Sequence, residues 1–363
     1  EFEINPLNTQ FDQFVLNNRG RNDDMLTNTR FILDYNIDGL ITKSFVDGEM
    51  NKPGAAKMWT VEMAIPLIGP DQFVPVHGTQ WRLNLYRQMQ PRPGIYDFLA
   101  WSPTIWTDAH RPWRFGYLTF VDDQAATLPA APKVDEKPLP VFTAAKVNRD
   151  VVLSGKLDDP LWQQAEVITL VNASDGTPGQ YATTARLLYT ERYLYIGYTC
   201  DDPYIVSRYT RRDDPLYEQD VVEAFISPSG SIRQYFEVET SPRNVIADTF
   251  VLNGRARDNM TWKNFHTFFN YDIEGLYTRA SYEGKLDTPD GGTRYCVEMA
   301  IPLQRLYGYD ALPTPGTRWR INLFRCDLKP DNTMDFYAAS PIMEPSDLHR
   351  PWRMGILQFG EAK

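Results

Sequence analysis

The chain has 363 residues, of which 42% are hydrophobic and 23% charged, and it carries a formal net charge of -10 with a pI near 5.0. That apolar content is enough for two cores of ordinary domain size, whereas the acidic balance excludes a nucleic-acid partner, which would draw its affinity from clustered Lys and Arg. No apolar run approaches the roughly 18 residues of a membrane-spanning helix, and the three cysteines, Cys200, Cys296 and Cys326, have no metal-ligand spacing and an odd count that cannot form a complete disulfide set.

In chain order, the segments that read as strands are Thr60 to Ile65, Trp81 to Tyr86 and Gly116 to Phe120, then Ala185 to Leu188, Leu194 to Tyr198, Val221 to Ile226, Tyr235 to Glu239, Arg294 to Ile301 and Arg318 to Phe324. They are short, rich in β-branched and aromatic residues, and separated by Gly, Pro, Asn and Asp clusters, which is the pattern of a sandwich. Stretches of 3.6-residue period are nearly absent, so little helix is expected. Between the two sets, residues 122–140 hold four prolines and few large apolar side chains. That composition predicts a semi-rigid linker.

The two sets repeat one another. Thr60-Val-Glu-Met-Ala-Ile-Pro-Leu67 returns as Cys296-Val-Glu-Met-Ala-Ile-Pro-Leu303, Trp81-Arg-Leu-Asn-Leu-Tyr-Arg87 as Trp319-Arg-Ile-Asn-Leu-Phe-Arg325, and His110-Arg-Pro-Trp-Arg-Phe-Gly116 as His349-Arg-Pro-Trp-Arg-Met-Gly355. Phe236-Glu-Val-Glu239 matches Phe2-Glu-Ile-Asn5, and the residues of the second copy before Phe236 have no counterpart in the first. The reading is therefore all-β, two tandem antiparallel β-sandwich domains of jelly-roll-like type. Residues 1–121 form the C-terminal part of the first, 122–140 the linker and 141–363 the complete second. A sheet cut at that point would expose a long apolar edge, so the first domain's N-terminal half is expected in a preceding segment or from a neighbouring chain.

No nucleophile elbow accompanies the four histidines, and no catalytic residue is assigned. His110 and His349 occupy equivalent places, each followed by Arg-Pro-Trp, which fits a turn-pinning role or a ligand contact. Glu62 and Glu298 alternate with Val and Met, which places the carboxylates on the opposite strand face, either solvated and ion-paired or at the polar side of a groove. Aromatic residues outside clean strands are the stronger binding candidates, because sugars lay apolar C–H faces on aromatic rings. The loop from Phe98 to His110 carries Trp101 and Trp106, whereas the second copy has Ala339 where Trp101 stands and no tryptophan near the Trp106 position.

As an ordered set, Gly155-Lys-Leu-Asp-Asp-Pro-Leu-Trp162, Leu216-Tyr-Glu-Gln-Asp-Val-Val-Glu-Ala-Phe225, Tyr235-Phe-Glu-Val-Glu239, Val297-Glu-Met-Ala-Ile-Pro302, Trp319-Arg-Ile-Asn322 and the closing His349 to Phe359 resemble the carbohydrate-binding module family 9, a β-sandwich family. The resemblance implies a noncatalytic carbohydrate-binding protein, extracellular, cell-surface or periplasmic, that clamps a poly- or oligosaccharide between aromatic rings, with structural calcium steadying its loops. By position the first ring falls near Tyr217 and the second in the Trp101 or Ala339 loop, so the candidate sugar contacts are Trp101, Trp106, His110, Tyr217, Tyr337 and His349. For calcium, the oxygen-rich turns at Asp201-Asp-Pro, Asp213-Asp-Pro and Asp23-Asp offer hard ligands. The alternative is a structural or assembly protein whose sandwiches have lost sugar binding and whose first domain is completed by another chain through strand addition.

Overall fold

Alternating polar and apolar side chains build strands along both halves of the chain, and among the described residues the single α-helix, Leu303–Leu306, follows the Pro302 that ends a strand. The computed structural model describes residues 1–17, 29–33, 37, 39–52, 54–66, 77–92, 94–104, 109–121, 138–228, 230, 232, 234–253, 265–269, 271–306, 312–343 and 347–362. Two compact units form, Glu1–Lys133 and Val134–Lys363, with the division inside the proline-rich stretch. Among the described residues no helix is long and apolar enough to cross a membrane.

The first unit contains β1 (Phe2–Ile4), β2 (Gln10–Asp12), β3 (Phe14–Asn17), β4 (Thr29–Ile32), β5 (Ile41–Gly48), β6 (Ala56–Ala64), β7 (Gln80–Leu83), β8 (Tyr86–Arg92), β9 (Ile95–Ala100) and β10 (Gly116–Thr119). Among the described residues they pair as two-stranded ladders, β1 with β2, β3 with β4, β5 with β6, β7 with β10 and β8 with β9.

The second unit contains β11 (Val141–Lys146), β12 (Ile168–Thr169), β13 (Val171–Asn172), β14 (Thr183–Tyr189), β15 (Tyr193–Asp201), β16 (Val221–Ser227), β17 (Gln234–Thr240), β18 (Ile246–Asn253), β19 (Phe265–Phe268), β20 (Tyr277–Gly284), β21 (Gly292–Pro302), β22 (Arg318–Leu328), β23 (Met334–Ala338) and β24 (Gly355–Ala362). All belong to one 14-stranded sheet whose main path runs β19-β18-β17-β16-β22-β24-β11-β14-β15-β21-β20. Pairing is antiparallel except where β11 lies parallel to both β24 and β14. The sheet curls so that its arms face each other: Arg325 on β22 reaches Thr183 on β14 and packs on the Tyr295 ring of β21. The buried interior includes Leu187, Tyr198, Val222, Ala224, Val297, Met299, Ile321 and Leu323. Cys200 and Cys326 are buried free thiols and Cys296 is half-buried.

Glu298 is not on a solvated face. Its carboxylate is buried and accepts Trp162 Nε1–H at 2.7 Å, Ser154 N–H at 2.8 Å and Gly155 N–H, because the turn opening the unit folds over the back of β21. That turn needs glycine at 155, where φ is +85° and a Cβ would meet the Ala280 backbone at 2.7 Å.

Local geometry repeats between the units even where the strand count does not. The β5–β6 hairpin pairs Ile41 with Ala64 and shifts register at Asp47/Gly48, and the β20–β21 hairpin pairs Tyr277 with Ala300 and shifts at Glu283/Gly284. The N-terminal correspondence differs by two residues from the Phe2–Phe236 match. Phe2 pairs with Asp12 as Val238 pairs with Asp248, and Asp12 and Asp248 each accept a backbone N–H, from Ile37 and Ile273, at 2.5 Å. Asn8 and Asn244 take the same left-handed turn, with φ of 62° and 64°. Glu1 and Glu3 therefore stand where Glu237 and Glu239 stand. A slide of two residues keeps every side chain on its own face, which is why the motif match conceals it.

Candidate functional site

On β16 and β17 the register sets Glu223 opposite Glu239 and Phe225 opposite Glu237, so three carboxyl groups occupy one sheet face. Phe324 of β22 lies opposite Glu223, while Thr249 and Ala247 of β18 lie opposite Glu237 and Glu239 on that same face. Apolar neighbours at Val221, Phe225 and Cys326 bury the acids, and all three are nearly inaccessible.

The 3-10 turn Leu216–Glu218 leads into β16, with Leu216 buried and the Tyr217 ring 50% exposed. The chain after Tyr217 is held on both sides. Gln219 Oε1 accepts from Arg208 N–H at 2.6 Å, and Asp220 accepts from Val206 N–H and Leu328 N–H, each at 2.7 Å. Tyr217 thus projects from a fixed backbone, and burial first, then the charges of Glu218, Glu239 and Glu237, raises its hydroxyl's pKa.

Burial shapes the acids' electrostatics. It pushes Glu223 up to about 7 against the pull of the Cys326 thiol, which donates to Glu223 Oε1 at 3.1 Å. Glu237 and Glu239 are driven well above the carboxylate range by burial first and by the charge of Glu223 second, and they share a hydrogen bond with each other. Glu239 Oε2 is buried without a hydrogen-bond partner. Carboxyls that hold protons near neutral pH can both donate to and accept from hydroxyl groups.

His349 joins the same face. Its ring stacks on Phe225 with centroids 5.1 Å apart and 22° between planes, Nδ1 lies 2.8 Å from the Tyr235 hydroxyl, and Phe265 meets it edge-on at 4.7 Å. Asn253 Nδ2 donates to the His349 carbonyl at 3.1 Å.

Of the residues singled out in the sequence, Tyr217 and His349 are brought to this one face. Tyr337 is not. It is paired with Arg325 across β22 and β23, turned inward and buried, with its ring 5.3 Å from the guanidinium and its hydroxyl accepting from Tyr181 N–H at 3.3 Å. Strand alternation puts Phe336, its neighbour, on the acid-bearing face instead, so a sugar-contact role for Tyr337 is withdrawn. In the first unit, Trp101 is 57% exposed and lies so close on Gly116 that a Cβ there would stand 2.6 Å from the indole. His110 is half-buried, with Nε2 3.0 Å from Glu1 Oε2 and Phe31 edge-on at 4.9 Å. Trp106 lies outside the described residues, as does Asp23.

Glu223, Glu237 and Glu239 are the residues that the reading for binding groups passed over. The signal was present: acids alternating with apolar residues inside segments assigned to strands have no solvated face when the neighbouring positions on the same face are also apolar.

Two aspartate groups have metal-ligand proximity, Asp202/Asp220/Asp327 and Asp213/Asp248/Asp272. The first is buried around Arg325, whose Nη2 donates to Asp202 Oδ2 at 2.8 Å and lies 3.3 Å from Asp327 Oδ1. Asp220's oxygens are taken by backbone N–H groups. In the second, Arg212 bridges Asp248 and Asp272. Guanidinium groups therefore hold the charge position in both groups, and the donor sets as arranged do not fit a calcium ion.

The family model described as carbohydrate family 9 binding domain-like matches residues 153–361. A solved candidate carbohydrate-binding protein from Bacteroides uniformis is 19% identical with a TM-score of 0.50, over 61% of this chain and 99% of that chain. A family 9 carbohydrate-binding module from Caldicellulosiruptor kristjanssonii in complex with glucose is 16% identical with a TM-score of 0.42, covering 62% of this chain and 97% of its own. A family 9 carbohydrate-binding module from the same organism in complex with cellotriose gives 14% identity, a TM-score of 0.42, and coverage of 62% and 95%. At these identities the likeness bears on fold alone. Among curated proteins no match is found.

Proposed function

Since the chain belongs to the carbohydrate family 9 binding domain-like family, we propose that it is a noncatalytic carbohydrate-binding protein whose second unit takes a sugar against the Tyr217 ring, on the face that carries Glu223, Glu237 and Glu239. The observation that carries this reading is the half-exposed Tyr217 beside a buried carboxyl set in which Glu239 Oε2 has no partner. A ring supplies the apolar platform for C–H faces, and the buried carboxyls become hydroxyl partners only where a sugar displaces the residues that cover them. Trp101, also exposed, becomes the corresponding platform of the first unit only when added strands complete that unit's face. The setting that suits such a protein is extracellular, cell-surface or periplasmic, where polysaccharide is met.

Binding of the full chain to soluble gluco-, xylo- and manno-oligosaccharides by calorimetry tests this. Tyr217→Ala should weaken binding about tenfold, or about 1.4 kcal/mol, with unchanged thermal stability. Unaltered affinity would remove Tyr217 from the site. A second reading, an assembly subunit, is favoured by the apolar surface that the first unit leaves exposed.

A further inference from the structure

The first unit repeats the sequence of the second but not its burial. Met63 is 44% exposed where Met299 is 0%, and Leu85 is 54% exposed where Leu323 is 0%. The Trp81 and Ile65 side chains are likewise exposed where those of Trp319 and Ile301 are buried. In the second unit the difference is made by strands: β15 pairs along β21 from Arg294 to Pro302, and β16 pairs along β22 from Arg320 to Cys326. Among the described residues of the first unit β6 pairs with β5 alone and β7 with β10 alone. Where β22 is one strand from Arg318 to Leu328, its counterpart is interrupted between β7 and β8 at Asn84 and Leu85. Five separate two-stranded ladders are marginal on their own, and unpaired apolar edges are templates for added strands.

Polar groups repeat the message. Glu298 is satisfied by the turn from Ser154 to Trp162, whereas Glu62 is exposed. Arg325 donates to Thr183 Oγ1 at 2.9 Å, Asp201 O at 3.0 Å and Asp202 Oδ2 at 2.8 Å, whereas Arg87 is exposed.

We propose that the first unit is an acceptor for strand addition, and that its partner is a polypeptide block with the pattern of residues 141–227, presented by polypeptide other than residues 1–363. The block places one strand antiparallel on the free edge of β6, as β15 lies on β21, and another on β7 and β8, as β16 lies on β22. It brings a Gly-x-x-Asp-Asp-Pro-x-Trp-type turn whose N–H groups bond Glu62, and an aspartate for Arg87. A second copy of this chain cannot be the donor. Each copy holds one such block, already paired with its own β21, β22 and β24, so exchanging blocks between copies leaves as many bare acceptors as before.

The test is amide hydrogen exchange on the full chain, alone and with a separately produced polypeptide of residues 141–235 as the probe. Alone, β6 and β7 amides should exchange at least about a hundredfold faster than those of β21 and β22. With the probe they should slow at least tenfold, β21 and β22 should not change, and Glu62→Gln should weaken the probe's binding about tenfold. Equal protection of the two sets without the probe, or exchange in β6 and β7 unmoved by saturating probe, overturns the proposal. Independently of the probe, Met63→Lys should move the melting temperature by no more than about 2 °C while Met299→Lys unfolds the second unit. Equal losses from both variants would contradict a bare acceptor face.

Discussion

Asn84 and Asn322 make the same bonds in different surroundings. Asn84 Nδ2 donates to Ser102 O at 2.7 Å and Oδ1 accepts from Ser102 N–H at 2.9 Å and Leu85 N–H at 3.0 Å; Asn322 does the same with Ser340 at 2.8 and 2.9 Å and Leu323 at 3.0 Å. Ser102 and Ser340 each donate Oγ–H to an arginine carbonyl, Arg114 and Arg353, at 2.6 Å. Yet Asn322 is fully buried and Asn84 is not. Bonds between residues close in sequence are written locally and recur with the motif. Burial depends on strands contributed from afar, and it recurs only where those strands are present.

This contrast predicts unequal costs for equal substitutions. The largest gap is expected at the paired glutamates. Glu298→Ala leaves the buried Gly155 N–H and Trp162 Nε1–H and the part-buried Ser154 N–H unsatisfied and should destabilise the second unit by about 3–5 kcal/mol, whereas Glu62→Ala should stay within about 0.5 kcal/mol. Urea denaturation of each variant, followed by tryptophan fluorescence, measures both. Next come the core leucines: Leu323→Ala should cost about 3 kcal/mol and Leu85→Ala less than about 1 kcal/mol in the same assay. Similar costs at either pair would mean that the first unit has an interior of its own.

A smaller effect comes from the acids of the second unit. Glu223, raised from 4.5 to about 7, keeps its proton in the folded chain where the unfolded chain has lost it. Folding therefore binds protons between these values, and stability falls as pH rises from about 4.5 to about 7. Asp248, raised to about 6, adds a change of the same sign, and Glu237 and Glu239 shift in the same direction. The second unit should lose on the order of 2 kcal/mol between pH 5 and 7.5. Glu223→Gln should flatten part of that slope, as denaturation midpoints across the range would reveal.

Much of this fold was legible because strand periodicity and turn residues are local. The segments around Thr60, Trp81, Val221, Tyr235, Arg294 and Arg318 all lie in strands, and among the described residues α-helix is confined to Leu303–Leu306. What the sequence concealed followed from the same two-residue period. It cannot distinguish a strand from itself slid by two, hence the shifted match at Phe2. It also separates two faces without saying which is wet, hence the buried Glu298. Tyr337 shares a segment with Phe336 but not a face, and which of them turns inward was decided by Arg325 on the neighbouring strand. The carboxyl set of Glu223, Glu237 and Glu239 exists only once β16 pairs with β17, so motif reading found Tyr217 and missed what lies beside it.

The most direct measurement is calorimetric titration of the full chain and of its Tyr217→Ala and Trp101→Ala variants with an oligosaccharide that the unaltered chain binds. The strands that complete the proposed carbohydrate face are present in the second unit and not among the described residues of the first, so Tyr217→Ala should lower affinity about tenfold and Trp101→Ala should leave it unchanged. Loss of binding on Trp101→Ala with full affinity retained by Tyr217→Ala would place the site in the first unit and contradict this account.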